Sequence, residues 1–233
     1  MNERDLLKSV RAGRERLPFG YHLPRHRHRE AYAIVMVRGR MAQIGYAGRV
    51  LLQTGQLLIQ PVLDCHANEM ISPGADILRL PWPDVAVGGL FALRDPDAVI
   101  AAAERDPHDA AALARTMLGA ELETKTDLPD ELARAIACDR VESLRTWASE
   151  RGLARETVSR AFSQAWGVDA RRYRSELRAR AAWLQITTTT ASLATIAHAT
   201  SFADQAHMTR SVRALTGRSP GEWRKVRRWN ACY

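Results

Sequence analysis

The sequence predicts an α+β chain. It places a β-barrel or sandwich over residues 1–94, a helical linker over 95–128, and an all-α domain with two helix-turn-helix units over 129–233. Three observations predict this. From about Phe19 to Leu93, short apolar runs are separated by Gly and Pro, the texture of closely spaced strands and turns. From Asp95 onward, alanine-rich segments carry apolar residues at helical spacing, which favours helix by propensity and by period. The charge is also divided. Residues 1–123 hold 15 Lys+Arg against 15 Asp+Glu, whereas 124–233 hold 19 against 11, so the whole formal charge of +8 lies in the second half. A basic half joined to a neutral half fits a polyanion-binding module beside a module with another task. The alternative is a solvated Arg-rich surface.

Composition narrows the class. With 233 residues, 46% hydrophobic and 26% charged, the chain has the make-up of a soluble protein with a core, not of a disordered or collagen-like chain. No apolar run approaches the roughly 20 residues of a membrane helix; the longest, Val85 to Leu93, includes two glycines. The first residues are acidic where a signal peptide is basic. Cys65, Cys138 and Cys232 are scattered and form no CxxC pair, so neither a disulfide framework nor a zinc finger follows. The expectation is a cytoplasmic protein with no membrane partner.

Residues 1–17 read as a short helix or a loose arm. Ile34 to Val37 is an apolar run ended by Arg38-Gly39, and Val50-Leu-Leu and Leu57-Leu-Ile lie between Gly48, Gly55 and Gly74, which reads as strands and turns. Asp95-Pro96-Asp97 and Asp106-Pro107 read as helix starts, with acid and Pro in the first turn. The second of these helices is expected to run to about Glu123. Leu113, Met117, Leu118 and Leu122 fall at helical spacing there, which makes this segment the dimer-interface candidate.

Val141, Leu144, Trp147 and Ala148 mark one helix face, and Gly152 supplies a residue for the helix end. A second helix follows from Arg155 to Trp166, with Val158, Phe162 and Ala165 inward and Gly167 at its end. Two short helices joined by a tight Gly turn make a helix-turn-helix unit. The plan repeats. Leu193, Ile196 and Ala197 form a short helix with Ser192 or Thr190 as N-cap. Ser201-Phe202 make the turn, Asp204 begins the next helix, and Met208, Val212 and Leu215 face inward before Gly217. A long helix over about Ala170 to Ile186 would fix the separation of the two units.

The segment from Ala137 to Arg228 resembles the AraC/XylS-type transcription regulators. The second unit carries the likeness in Ile196-Ala197, Phe202, Asp204-Gln205, Arg210, Gly217, Ser219-Pro220 and Trp223-Arg224; the first carries it in Leu153, Ser159-Arg160, Phe162, Gly167, Tyr173, Arg178 and Ala182. The resemblance implies a DNA-binding domain of two helix-turn-helix units joined by a helix. This chain departs from the family pattern at Ser201, where a turn Gly is usual, at Ala206, and at Met208 and Val212, which stand for larger aromatic residues.

Helical geometry independently selects the outward residues. With Val158 and Phe162 inward, Arg155, Glu156, Ser159, Arg160 and Ser163 point out. With Met208 and Val212 inward, Gln205, Ala206, Thr209, Arg210 and Arg213 point out. Arg pairs bidentately with guanine, Gln with adenine, Glu accepts from cytosine, and Thr or Ala packs on a thymine methyl. Arg172, Arg178 and Arg224 are the phosphate-contact candidates, which position without specifying. The two recognition helices are expected about 34–36 Å apart, one turn of DNA. The plainer alternative is a solvated helix face with intrahelical ion pairs.

The N-terminal half contains Pro24-Arg-His26-Arg-His28-Arg-Glu30, then Tyr32 to Gly39, Leu57 to Pro61, and His66. This pattern resembles a degraded cupin, a fold common in sensor domains of AraC-type regulators. Residues i and i+2 of a strand share a face, so His26 and His28 are able to chelate together. His66 would complete a set suited to iron, zinc or manganese. In metal-binding cupins an acid follows about four or five residues after the HxH pair, where this chain has Tyr32 and Ala33. The other reading is a ligand pocket or surface loop in which the histidines only hydrogen-bond, with Arg25, Arg27 and Arg29 turned outward.

No GxSxG, P-loop or GxGxxG is present, so no catalytic constellation and no cofactor is expected. Cys65 and His66 are adjacent and so face opposite ways on a strand. The reading is a DNA-binding transcription regulator, not an enzyme, with double-stranded DNA as partner and a small-molecule effector in a cupin-like sensor domain. It would act as a homodimer and would engage RNA polymerase if it activates. The rivals are a metal-dependent cupin enzyme with a basic helical tail, and a DNA-binding protein whose β domain only dimerises.

Overall fold

The computed structural model describes residues 7–8, 10–71, 73–83, 88–124 and 126–230. Val85 to Val87 of the longest apolar run, Cys232, and the side chains of Arg227 and Arg228 lie outside the described residues. The chain divides into two compact units, Met1–Asp130 and Glu131–Tyr233.

The first unit begins with β1 (Leu7–Lys8), β2 (Gly13–Leu17), β3 (His22–His28), β4 (Tyr32–Arg38), β5 (Arg40–Gly45) and β6 (Gly48–Gln53). It continues through β7 (Gln56–Gln60), β8 (His66–Met70), β9 (Ala75–Pro81), β10 (Gly89–Leu93), α1 (Pro96–Ala103), α2 (Pro107–Thr116) and β11 (Leu118–Glu121). The strands form two sheets, β1-β3-β8-β5-β6 and β11-β10-β7-β4-β9-β2. The pairs are antiparallel except β1 with β3. Residues 7–8 and 13–17 are therefore strands, not the helix or arm expected of the first segment. Arg16 and Glu15 cross-pair with Asp76 and Arg79 on β9, so the polar composition that reads as a loose arm serves a sheet edge.

Alternation sorts the side chains of the larger sheet. Tyr32, Ile34 and Met36 of β4 and Leu58 of β7 belong to the core between the sheets, with Met41, Leu52 and Met70 from the facing sheet. The register pairs Ile34 with Leu58 and Tyr32 with Gln60, and Met41 with Met70 and Gln43 with Asn68. The interior thus changes from apolar to polar along the strands. On the other face Ala33, Val35, Leu57, Leu78 and Leu80 are also buried. α1 packs on β4 and α2 on β9, with Val99, Ala102, Ala110, Ala111 and Ala114 buried. Alanine allows close approach to the sheet. Each large side chain buried there contributes about 1.5–3 kcal/mol relative to exposure.

These helices are accordingly part of the β unit, not a linker over 95–128. Their buried face, Val99, Ala102, Ala110, Ala111 and Ala114, covers a sheet, whereas Leu113, Met117, Leu118 and Leu122 are half-buried. The segment expected to be helical to Glu123 stops at Thr116, and Leu118–Glu121 pairs with β10. Gly119, Ala92 and neighbouring backbone meet there: a Cβ on Gly119 would lie 3.0 Å from the Ala92 carbonyl. Both helix starts are as read, with Asp95 accepting from the Ala98 N–H and Asp106 from the His108 N–H.

The second unit is helical: α3 (Leu128–Ala137, which starts in the first unit), α4 (Leu144–Ser149), α5 (Arg155–Trp166), α6 (Ala170–Thr188), α7 (Leu193–Ala199), α8 (Gln205–Thr216) and α9 (Pro220–Asn230). α4–α5 and α7–α8 are the two helix-turn-helix pairs, and α6 packs on α5, α7, α8 and α9. Phe162 is fully buried and stacks on Trp166, with Tyr173 of α6 edge-on to it. In the second pair, Trp183 meets Trp223 edge to face, and the Trp223 indole N–H donates to Thr216 Oγ1 at 2.8 Å. Met208 and Val212 are fully buried, so the smaller residues still face inward. Ala165 is only half-buried, and Trp166 takes the inner position expected of it.

Three helix ends share one hydrogen-bond pattern. After α4, Leu153 N–H reaches the Ala148 carbonyl and Gly152 N–H the Ser149 carbonyl; after α7, Phe202 reaches Ala197 and Ser201 reaches His198. After α3, Arg140 reaches Ala135 and Asp139 reaches Ile136. This is the Schellman closure, which puts one residue in the left-handed region. Gly152 has φ +66°, Ser201 +57° and Asp139 +52°. The turn therefore demands a left-handed residue at 201 although the side chain is serine. The Ser201 hydroxyl donates to Asp139 Oδ2 at 2.8 Å, and Arg178 donates to Asp139 Oδ1 at 2.9 Å.

Candidate nucleic-acid interface and the histidine cluster

α5 and α8 are built alike. Each buries one face through Val158, Phe162 and Trp166, or Met208, Val212 and Leu215. Each ends on a left-handed glycine, Gly167 or Gly217. Asp204 caps α8 by accepting from the His207 N–H, and Ala154 precedes α5 with no side-chain cap bond. The expected outward residues are outward. Arg155, Glu156, Arg160, Gln205, Ala206, Arg210 and Arg213 are exposed, and Ser159, Ser163 and Thr209 are half-buried. Arg155 and Glu156 approach at 3.4 Å. That is a long contact between exposed groups, worth little in water.

The three phosphate-contact candidates are all engaged within the protein. Arg172 Nε donates to Glu176 at 3.1 Å one turn along α6, Arg178 to Asp139, and Arg224 to the Ala191 carbonyl. An arginine fork has five donors, so these bonds orient the guanidinium without using it up. The carboxyl of Asp139 is held below the usual aspartate range, first by the Arg178 bond and then by the Ser201 hydroxyl. Arg171 and Arg218 are exposed as well. Only the burial pattern of α6 and the turn after α8 distinguishes them from their neighbours.

In the β unit the histidines come together. His26 on β3 is register partner of His66 on β8, and His28 follows on the same face of β3. All three are buried, which excludes the surface-loop placement. His26 Nδ1 lies 2.9 Å from the Pro24 carbonyl and His66 Nδ1 3.0 Å from the Asp64 carbonyl. A carbonyl only accepts, so both rings carry their proton on Nδ1 and turn an Nε2 lone pair inward. His26 Nε2 and His28 Nε2 are 3.0 Å apart, and one ligand atom from each of the three residues lies within 4.8 Å of the others. Burial, with His26 and His28 alongside, holds the His66 imidazole well below its usual range, so it is neutral. Burial pushes the Tyr32 phenol upward, and its hydroxyl donates to His66 Nε2 at 3.2 Å. Arg25 is half-buried and Arg27 buried, a correction to the expectation that these arginines simply point outside.

Asp64 and Gly45 shape the floor of this cluster. Asp64 is buried and accepts from the Tyr46 N–H at 2.9 Å. A Cβ on Gly45 would lie 2.9 Å from His66 Cβ and 3.0 Å from Asp64 Oδ2, so β5 approaches this closely only as glycine. Gln60 donates to Gln43, and Gln60 Oε1, Gln43 Nε2 and Asn68 Oδ1 are buried with no hydrogen-bond partner among the described residues. Sequence reasoning passed over Tyr32 as a partner and Asn68 altogether. The period-2 rule applied from His66 to Asn68 was the available signal. Cys65 is buried and donates weakly to the Leu63 carbonyl.

A cavity of about 710 Å³ opens beside the cluster, lined by Tyr21, His26, His28, Tyr32, Asn68 and Arg79 among others. That volume is within the range of about 300–1,000 Å³ for small-molecule pockets. Among the described residues, no helix is long and apolar enough to cross a membrane.

Residues 147–226 match the model of a helix-turn-helix domain family. No curated protein matches the chain. Solved structures similar to it include ToxT from Vibrio cholerae O395, at 10% identity over 91% of this chain and 96% of that one, TM-score 0.42. Another is wild-type ToxT of V. cholerae strain SCE256 with an unsaturated fatty acid bound, at 9% identity over 91% and 93%, TM-score 0.42. A third is an AraC-type DNA-binding domain-containing regulator from Chromobacterium violaceum, at 24% identity over 43% and 91%, TM-score 0.39.

Proposed function

We propose that this chain, whose residues 147–226 are an AraC-type helix-turn-helix domain, is a sequence-specific transcription regulator that reads DNA with both α5 and α8. One observation carries the reading. Each second helix buries an apolar face and presents a largely polar outer row along its N-terminal half, Arg155-Glu156-Ser159-Arg160 on α5 and Gln205-Ala206-Thr209-Arg210 on α8, where Arg213 in the last turn extends it. These side chains have the donor and acceptor pattern that base edges in a major groove require. Arg160 and Arg210 read a base each. Arg172, Arg178 and Arg224 are already oriented by internal bonds and fix the register on phosphates, as does the net positive charge of this half.

The β unit supplies the regulatory input. Its cavity has the size of a small-molecule site and combines an apolar side with unpartnered polar atoms such as Asn68 Oδ1, the mixture that fixes a ligand's orientation. A ligand there regulates only by binding two arrangements of the protein unequally.

The test is fluorescence-anisotropy binding of the full chain to DNA from upstream of its own gene and to scrambled DNA, at several salt concentrations. A preference for the upstream sequence that survives added salt is the expected result. Binding that shows no preference and vanishes with salt would reduce the basic half to an electrostatic surface and overturn the reading.

A further inference from the structure

We infer that Asp139 braces the two helix-turn-helix units against each other, so that the chain reads DNA with its two recognition helices at one fixed spacing. The inference rests on the proposed reading of DNA by α5 and α8, and it concerns what sets the distance between them.

Packing alone holds the two units unequally. α6 packs mainly on α8 and α9, and its contact with α5 is slight. Among the described residues, no extensive packing joins α4 or α5 to α7 or α8. The first unit is held by the aromatic group of Phe162, Trp166 and Tyr173 and by the segment that leads into α4. That segment, residues 139–141, is fastened at three points. Arg174 of α6 donates to the Val141 carbonyl at 2.8 Å. Arg178, one turn further along α6, donates to Asp139 Oδ1 at 2.9 Å. Ser201, in the turn between α7 and α8, donates to Asp139 Oδ2 at 2.8 Å. This last bond links the entry of the first unit directly to the turn of the second.

Geometry and charge both suit Asp139 to this place. Asp139 and Ser201 are the left-handed residues that close α3 and α7, so Schellman bonds fix both backbones where the side chains meet. Each carboxylate oxygen takes a different partner, which fixes the plane of the group. Helix C-termini carry partial negative charge, and two of them meet here beside a carboxylate. Arg178 and Arg174 bring the compensating positive charge from α6. A glycine at 201, which this conformation favours, has no hydroxyl and would leave the two turns unlinked. Asp139 is an anion and offers no attraction to phosphate; it is a positioning residue that acts through where it holds α8. With the units braced, the second helix enters its groove with little further ordering cost, and the penalty falls on DNA of the wrong spacing.

The experiment takes two readouts from the full chain. The first needs no DNA. Spin labels on Glu150→Cys and Ala194→Cys, exposed positions at the end of α4 and on α7, report the distance between the units in a Cys138→Ser, Cys232→Ser background. We expect a narrow distance distribution in this background and a broader one in Asp139→Gly, which keeps the left-handed turn and removes the carboxylate. Ser201→Gly should broaden it in part. Asp139→Asn, which accepts from Arg178 through Oδ1 and donates to Ser201 through Nδ2, should restore the narrow distribution. Ser143→Ala, which removes only the cap bond from the Thr146 N–H within the first unit, should leave it unchanged. The second readout is anisotropy titration with the upstream DNA, as it stands and with one base pair inserted between the two contacted grooves, a shift of about 3.4 Å and about 35°. The insertion should weaken binding by the unaltered protein at least about 10-fold and by Asp139→Gly no more than about 3-fold, while the variant binds the parent DNA less tightly. A distribution as narrow in Asp139→Gly as in the unaltered protein overturns the brace. A broadened distribution with an unchanged insertion penalty overturns its role in spacing. Absence of any specific complex defeats the DNA reading and the spacing claim with it, while the distance distributions still decide the brace.

Discussion

Ser201 stands where a glycine would be conformationally free, and its neighbours explain how serine is tolerated. A left-handed conformation costs an L-residue about 1–2 kcal/mol. Part of that is offset because glycine loses about 0.4–1 kcal/mol more conformational freedom on folding. At φ +57°, Ser201 therefore carries a net penalty of about 0.5–1 kcal/mol against glycine. Its hydroxyl donates to Asp139 at 2.8 Å. The carboxylate side chain is 56% exposed, so that bond is worth about 0.5–1 kcal/mol. The two effects nearly cancel. Ser201→Gly is expected to leave stability within about 0.5 kcal/mol of the unaltered protein, whereas Ser201→Ala, which keeps the strain and loses the bond, should destabilise by about 0.5–1 kcal/mol. In an Asp139→Gly background the hydroxyl has no acceptor, and Ser201→Gly should then stabilise by about 0.5–1 kcal/mol. Urea unfolding followed by tryptophan fluorescence measures this cycle, because five of the six tryptophans lie at residue 147 or later. Equal stability of the Gly and Ala variants would show that no strain is stored at 201. An Asp139-independent effect of Ser201→Gly would show that the hydroxyl bond contributes nothing.

Three further outcomes are expected. Phe162→Ala removes a fully buried ring packed on Trp166 and Tyr173 and should destabilise the helical unit by about 3–5 kcal/mol, measured in the same unfolding assay. Arg160→Ala should reduce discrimination between upstream and scrambled DNA by about 1–3 kcal/mol; equal weakening on all sequences in anisotropy titrations would make it a phosphate contact instead. Asp76 is held below the usual aspartate range by its bonds from Arg16 and then Arg14. Its contribution is complete above the ordinary aspartate pKa and is lost as pH falls through the depressed one. Asp76→Asn should therefore flatten the acid-side decline in stability of the β unit, and an unchanged acid profile by circular dichroism would refute that role.

Helical periodicity and capping made the second unit legible. Val158 and Phe162, and Met208 and Val212, fix which faces of α5 and α8 turn inward, and Gly167, Gly217, Asp204 and Ser192 mark the ends. These are local signals, each decided within one or two turns of chain. The error at Leu118 has the opposite cause. Leu113, Met117, Leu118 and Leu122 keep a helical spacing, but β10 offers Leu118–Glu121 an edge to pair with, and a non-local ladder overrides local propensity. The same holds for residues 13–17, whose charges read as a loose arm until Asp76 and Arg79 are beside them.

The apolar face of α1 and α2 illustrates a further limit. Sequence shows that a face exists and is silent on what covers it; here the outer surface of the larger sheet does. The histidines divide along the same line. Period 2 alone places His26 and His28 on one side of a strand. That His66 lies opposite His26, that Pro24 and Asp64 carbonyls lock the rings, and that Tyr32, Asn68 and Gly45 complete the surroundings are consequences of register between β3, β8 and β5. The sequence by itself determined the charge division, the helix-turn-helix repeats and their outward residues, because those depend on composition and on contacts a few residues apart. Only the tertiary structure decided the sheet order, the burial of the histidines and the partners of Arg178 and Ser201, because strand pairing and packing join residues that the chain separates by tens of positions.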